Sequence, residues 1–234
     1  MTSHLRRKVI KGVVATGAMS DPYNPLEREL LLTRNALELI NAYRFGVAID
    51  TKSTLVTRDI DILSDIKSHS PVIVKISITT SDDDISKIIE PNAALSGERF
   101  DTLKELSNAG IFCGVLMMPV LPFINDTEEN IEGILKQAHE AGANFVYPAF
   151  GMTLRQGNRE YYYEKLDEYF PGIKQKYDRA YGDRYNCISR KAKKLWDLFV
   201  NLCHNYDLVY EMRCITALYR RGYGSPQLSL FIDD

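Results

Sequence analysis

The chain is poor in cysteine and histidine, and it has no long apolar run. Its 234 residues include four cysteines, Cys113, Cys187, Cys203 and Cys214, and no two form a C-x-x-C pair. This spacing argues against a disulfide framework and a zinc ribbon, and reads as reduced thiols in a cytoplasmic protein. The four histidines, His4, His69, His139 and His204, lack metal-ligand spacing; "HEAGA" opens like a zinc-protease motif but has no second histidine. Neither sign of charge dominates, because 29 Lys and Arg face 31 Asp and Glu. A general polyanion-binding signature is therefore absent. No apolar run approaches the roughly 20 residues of a membrane span, and "MTSHLRRKVIKG" has no apolar stretch after its basic residues. The expectation is a soluble, cytoplasmic protein with no membrane role.

What is present is a repeated alternation of strand and helix. Hydrophobic residues make up 45% of the chain, enough for the core of one sizeable domain. Short apolar runs at 13–18, 46–52, 71–79, 111–120 and 144–151 predict strands. Periodic segments at 25–43, 58–69, 97–110 and 126–142 predict helices, the last capped by Asp126 and stopped by Gly142. Strand-then-helix units in series imply parallel strands with helical crossovers. The strands are apolar on both faces, as in a buried parallel sheet or barrel. After residue 151 the pattern becomes aromatic and charged, and two or three helices are expected to form a C-terminal extension. The predicted organisation is a barrel over 10–155, helices over 156–222 and a tail over 223–234.

In a barrel of this kind chemistry sits at the C-terminal ends of the strands. The unusual residues fall there: Thr16 and Gly17, Thr51 and Lys52, Ser77 to Thr80, Pro119, and Pro148 to Gly151. In "GAMSDPYNPLE", Asn24, Pro25 and Glu27 explain a helix start. "GAMSDPY" is longer than a plain turn requires. Lys52 admits three readings: a Schiff-base lysine, a cation for a carboxylate or phosphate, or an exposed loop lysine. Glu90 and Arg99 read as a structural ion pair shaping a loop. Tyr161 to Tyr163 read as helix packing ahead of base stacking, and "RKAKK" as a solvated face ahead of a phosphate contact.

Taken in order, "GAMSDPYNPLE", "LTRNALELI", "TKSTLVTRDIDIL", "ISITTSDDDISKIIEP", "ERFDTLKELSNAGIFCGV" and "MMPVLPFINDTEENI" resemble the spore-photoproduct-lyase-like, or DNA repair photolyase-like, branch of the radical S-adenosylmethionine (SAM) superfamily. The resemblance implies a partial (β/α) TIM-like barrel. It implies a [4Fe–4S] cluster held by C-x-x-x-C-x-x-C, and SAM cleaved to a 5′-deoxyadenosyl radical. Carried onto matching positions, Lys52 and Ser77 would contact the SAM carboxylate, and Thr16 and Gly17 would wall the methionyl amino group. Met118 and Pro119 would contact the adenosine. By resemblance alone, nucleic acid is a candidate partner.

The sequence departs from that pattern in two places. It contains no C-x-x-x-C-x-x-C, and the four cysteines cannot replace it by local spacing. Asp50 stands where relatives tend to carry a small residue, and an inward-facing Asp50 would weaken carboxylate binding near Lys52. The expectation is therefore an N-terminally truncated or shortened family member, with its first barrel strand missing, that does not hold the cluster alone. A barrel remnant acting as a ligand- or protein-binding module, and a Schiff-base lyase using Lys52, remain as alternatives. At the end of the chain, "QLSLF" resembles the pentapeptide by which bacterial replication proteins bind the sliding clamp. Leu230 and Phe231 would fill an apolar pocket, with Gln227 at its rim beside Leu228.

Overall fold

The computed structural model describes residues 11–223. Five parallel strands form its centre in the order β1 Val13–Thr16, β2 Gly46–Thr51, β3 Val72–Ser77, β4 Cys113–Met117 and β5 Phe145–Pro148. Spatial order follows chain order, so each strand reaches its neighbour through a helical crossover. The crossovers are α1 Glu27–Leu30 with α2 Leu32–Ala42, a 3-10 turn Thr54–Asp59 with α3 Ile60–Lys67, α4 Asp83–Ile89 with α5 Ser96–Asn108, and α6 Glu128–Glu140. This is the partial (β/α) barrel that the sequence predicts.

Side-chain alternation sorts each strand into two faces. Val47, Ile49, Val74, Ile76, Val115, Met117 and Val146 point into the main core. There they meet Leu37 and Ile40 of α2, Leu63 and Ile66 of α3, Leu103 and Leu106 of α5, and Ile131 and Leu135 of α6. On the inner face Ala48, Ile73 and Phe145 pack against Ile215, flanked by Val13, Phe112, Tyr147 and Tyr219. Helix α10, Met212–Tyr219, thus fills the N-terminal half of the inner face. Apolar contacts on both faces explain why the strands read as continuous hydrophobic runs.

The C-terminal extension is richer than expected. Among the described residues it holds four helices, α7 Asn158–Tyr169, α8 Ile173–Tyr181, α9 Ala192–Asn205 and α10, and a strand, β7 Asn186–Ile188, that pairs antiparallel with β6 Gly151–Thr153 at the end of the barrel segment. Three-residue strands carry too little alternation to be read from sequence. Tyr162, Tyr163, Tyr177 and Tyr181 build a small separate core with Leu154, Leu166 and Cys187. Packing is therefore the role of Tyr162 and Tyr163, whereas Tyr161 is exposed. Helix α9 joins the main core through Leu195, Phe199 and Cys203. Residues 208–210 cover the free edge of β5: the Val146 N–H donates to the Val209 carbonyl at 2.9 Å, and the Val209 N–H to the Asn144 carbonyl at 3.1 Å. At the other edge, β1 pairs with β2 alone among the described residues.

Two local readings are corrected. The helix expected over 25–43 breaks at Leu31, which adopts the left-handed conformation (φ 51°) and separates α1 from α2. The cap of α6 is Thr127, whose side chain accepts from the Asn130 N–H at 3.1 Å. Asp126 instead accepts from the Phe123 N–H at 2.7 Å and from the Ser189 hydroxyl at 2.5 Å. Helix α4 was not among the predicted helices; Asp82 caps it, accepting from the Asp84 and Ile85 N–H groups. Gln227, Leu228, Leu230 and Phe231 lie outside the described residues.

Candidate functional site

Strand register brings the anticipated residues to one edge. Thr16 lies level with Ile49, Thr51 with Ile76, Ser77 with Leu116 and Met117 with Pro148. Thr16, Gly17, Lys52, Ser77, Met118 and Pro119 therefore stand at the C-terminal ends of four adjacent strands. Gly17 is there for close approach: its φ is 99°, and a Cβ at that position would come 2.0 Å from the Asp50 carbonyl oxygen. Ser77 is buried, and by alternation it shares the inner face with Ile73 and Lys75. Met118 is half-buried and Pro119 exposed, joined by a cis peptide bond.

The long opening loop is held by its own polar residues. The Asp21 carboxylate accepts hydrogen bonds from the Tyr23 N–H at 2.9 Å, the Thr51 hydroxyl at 2.6 Å and the Lys52 N–H at 2.8 Å. Tyr23 is buried, and its hydroxyl donates to Asp59 at 3.0 Å. Burial beside the Asp59 carboxylate pushes the Tyr23 hydroxyl well above its ordinary value. Asn24 accepts from the Leu26 N–H at 3.0 Å in the turn before α1, so it shapes the approach to the helix, whose cap position is Leu26 and whose first residue is Glu27 rather than Pro25. Glu27 does not close the capping box read from the sequence: α1 begins at Glu27 itself, behind Leu26, which makes no side-chain capping bond. Its carboxylate accepts from the N–H groups of Thr33 at 2.9 Å and Arg34 at 3.3 Å, so it caps α2 across the Leu31 break. Arg58 donates to Glu27 and to Asp59, each at 2.9 Å. None of these long-range partners has a spacing that sequence reasoning could use.

Beside this loop lies a cavity of about 670 Å³. Its walls are the loop after β1 (Asp21, Tyr23) with Arg28 of α1, the turn after β2 (Lys52, Ser53, Thr54) and the α4–α5 connection (Glu90 to Ala94) with Glu98 of α5. The Lys52 ammonium sits 3.8 Å from Glu90 with its side chain 39% exposed, so it is accessible to a ligand. Glu90 is shared with Arg99 at 2.6 Å, and Arg99 also donates to the carbonyls of Ser77 and Ala94, both at 2.8 Å. The Glu90–Arg99 pair thus ties the loop to the end of β3, as its structural reading expects. Ser77, Thr16, Gly17, Met118 and Pro119 do not line this cavity. Asp50 shares the inner face with Ala48 and forms an ion pair with Lys75 on the neighbouring strand. Its charge is met there by Lys75, a partner the sequence did not reveal.

The cysteines do not fit an iron–sulfur cluster. Cys113, Cys187 and Cys203 are buried on β4, β7 and α9, and only Cys214 is exposed. Burial pushes the Cys113 and Cys203 thiols up to about 12, whereas cluster ligands are thiolates. Among the described residues no three Cys, His, Asp or Glu side chains are grouped to hold a metal ion.

A parallel (β/α) arc with an open cavity beside its strand ends defines a barrel-type α/β fold. The radical SAM superfamily model matches residues 3–147, and the chain belongs to that superfamily. An uncharacterised Methanocaldococcus jannaschii protein is 30% identical over 90% of this chain and 73% of its own length. An uncharacterised Mycobacterium tuberculosis protein is 29% identical over 72% of this chain and 49% of its own. The chain thus spans about half the length of its mycobacterial relatives. Among solved structures, spore photoproduct lyase with dinucleoside spore photoproduct superposes with a TM-score of 0.63 at 13% identity, over 87% of this chain and 61% of that one. A variant of the same enzyme with bound AdoMet and that dinucleoside gives 0.64 at 13% identity, over the same shares. These likenesses establish a shared fold. No helix among the described residues is long and apolar enough to cross a membrane.

Proposed function

We propose that the chain is the SAM-binding barrel part of a radical SAM enzyme of the photolyase-like branch, acting on a nucleic-acid-related substrate. The observation that carries this is the family match over the whole barrel, together with an accessible ammonium, Lys52, at the strand-end cavity. Lys52 would meet the SAM carboxylate as a charge-assisted hydrogen-bond donor. Ser77 would offer its hydroxyl from the inner face, Thr16 and Gly17 would border the methionyl amino group, and Met118 with Pro119 would border the adenosine. Bound SAM supplies a 5′-deoxyadenosyl radical to such enzymes once it is reduced. The reductive step is not assigned to this chain, because its own cysteines do not fit a cluster. A cluster at this site would need thiolate ligands other than these four cysteines.

The test is calorimetric titration with S-adenosylhomocysteine, followed by anaerobic reconstitution with iron and sulfide. Binding that Lys52→Met weakens at least tenfold supports the assignment; absence of binding at millimolar ligand refutes it. Reconstitution is expected to give no stable four-iron cluster, and one that cleaves SAM would overturn that part. "QLSLF" supports a second, independent role as a docking peptide for the bacterial sliding clamp. Equal binding of the peptide and its Leu230→Ala/Phe231→Ala version would end that idea.

A further inference from the structure

We propose that Asp21 is the positioning residue for Lys52. The proposal rests on Lys52 being the ligand contact of the cavity. Strand β2 ends at Thr51, so the Lys52 N–H lies beyond the strand, and the Asp21 carboxylate accepts from it at 2.8 Å. The other Asp21 oxygen accepts from the Thr51 hydroxyl at 2.6 Å. The Thr51 hydroxyl oxygen in turn accepts from the Ser53 N–H at 2.9 Å, and the Ser53 hydroxyl accepts from the Leu55 N–H at 3.3 Å. This chain of bonds fixes the backbone on both sides of Lys52. Among the described residues the far end of the side chain is held by Glu90 alone, at 3.8 Å. Lys52 therefore has a fixed root and an accessible tip, which suits a long, flexible cation that must meet a ligand in one place.

Asp21 itself is not built to touch an anionic ligand. It lines the cavity, but its carboxylate is taken up by three donors, Tyr23, Thr51 and Lys52, of which Thr51 is buried at the end of β2. Those donors also offset a negative charge that would otherwise repel a carboxylate bound at Lys52. The excess length of "GAMSDPY" thus brings one acceptor across to the end of the next strand.

The experiment is a double-mutant cycle of Asp21→Asn and Lys52→Met, read by calorimetric titration with S-adenosylhomocysteine. An asparagine oxygen still accepts from Thr51 and Tyr23, but its amide cannot accept from the Lys52 N–H. Asp21→Asn is expected to weaken binding about tenfold in the parent and less than twofold in the Lys52→Met background. Equal losses in both backgrounds would overturn the proposal, because a merely structural role acts regardless of Lys52. A second arm needs no SAM site: acylation of Lys52 by an N-hydroxysuccinimide ester, mapped by mass spectrometry with exposed Lys136 as control. Asp21→Asn is expected to change the Lys52 rate at least threefold and leave Lys136 unchanged; an unchanged Lys52 rate sinks the idea. A parent chain that fails to bind the nucleoside but shows the Lys52 rate change refutes the functional reading and keeps the positioning role. If Asp21→Asn does not fold, Thr51→Val, which removes one donor to Asp21 and the acceptor for Ser53, takes its place with the same readouts.

Discussion

Replacing Glu27 probes the join between the opening loop and the first crossover. Its side chain is nearly fully buried and serves two partners at once: the start of α2, through the Thr33 and Arg34 N–H groups, and Arg58. Leu31, at the cap position of α2, makes no side-chain capping bond, so nothing local replaces Glu27. Glu27→Ala should lose about 1 kcal/mol for the cap. It should lose about 2 kcal/mol more for stripping Arg58 of one of its two carboxylates in a part-buried site. The sum, about 3 kcal/mol, corresponds to roughly 6–12 °C in Tm for a chain of this size. Glu27→Gln keeps an acceptor for α2 and loses only the charge, so about 1–2 kcal/mol is expected. Urea denaturation at pH 7 measures both. Losses below about 0.5 kcal/mol for both variants would refute the capping role.

The same residue sets an acid dependence. Burial alone would raise the Glu27 carboxyl, but hydrogen bonds from the Thr33 N–H, Arg58 and the Arg34 N–H outweigh it and hold it below its ordinary value. A group lowered on folding contributes stability that is fully present above its unfolded pKa, about 4.3. That contribution is lost as pH falls through the folded value. The gap between parent and Glu27→Gln should therefore shrink below about pH 4. A gap that stays constant down to the lowest pH at which both fold would contradict the assignment.

Other perturbations follow from the same contacts. Gly17→Ala places a methyl against the Asp50 carbonyl at a positive φ, so a loss of about 2–4 kcal/mol in chemical denaturation is expected; a neutral variant would contradict the packing of the loop on β2. Arg99→Met removes the donors to Glu90, Ser77 and Ala94 and should increase proteolysis near residues 90–95, against an unchanged cleavage pattern if the loop is held otherwise. In the native state one cysteine, Cys214, should react quickly with a thiol reagent, and the other three only on unfolding; rapid titration of two or more would show that the buried set is misassigned.

Much of the scaffold was legible because the deciding interactions are local or periodic. Apolar residues such as Val47, Ile49, Val74 and Ile76 mark buried parallel strands, and Gly110 and Gly142, both with positive φ, mark helix ends. The site was legible only as an edge: placing Lys52, Ser77 and Met118 at strand ends needs no more than strand boundaries. What was missed follows one pattern. The Leu31 break hides inside an unbroken helical periodicity, since the reason for it, Glu27 reaching past it to cap α2, becomes visible only once the chain has folded back. β6 and β7 are three residues each and find each other across more than thirty positions.

The sequence by itself determined the alternation of parallel strands and crossovers, the strand-end location of the polar residues, and the lack of the cysteine motif that a cluster needs. These are properties of residue type and near-neighbour spacing. Tertiary structure alone decided the partners. It gave Asp21 to Thr51 and Lys52, Glu90 to both Arg99 and Lys52, and Asp50 to Lys75 across two strands. It also put Lys52 on the cavity and Ser77 on the inner face. The physical reason is that a charged side chain takes whichever opposite group the folded chain brings within a few ångströms, and sequence separation does not specify that distance.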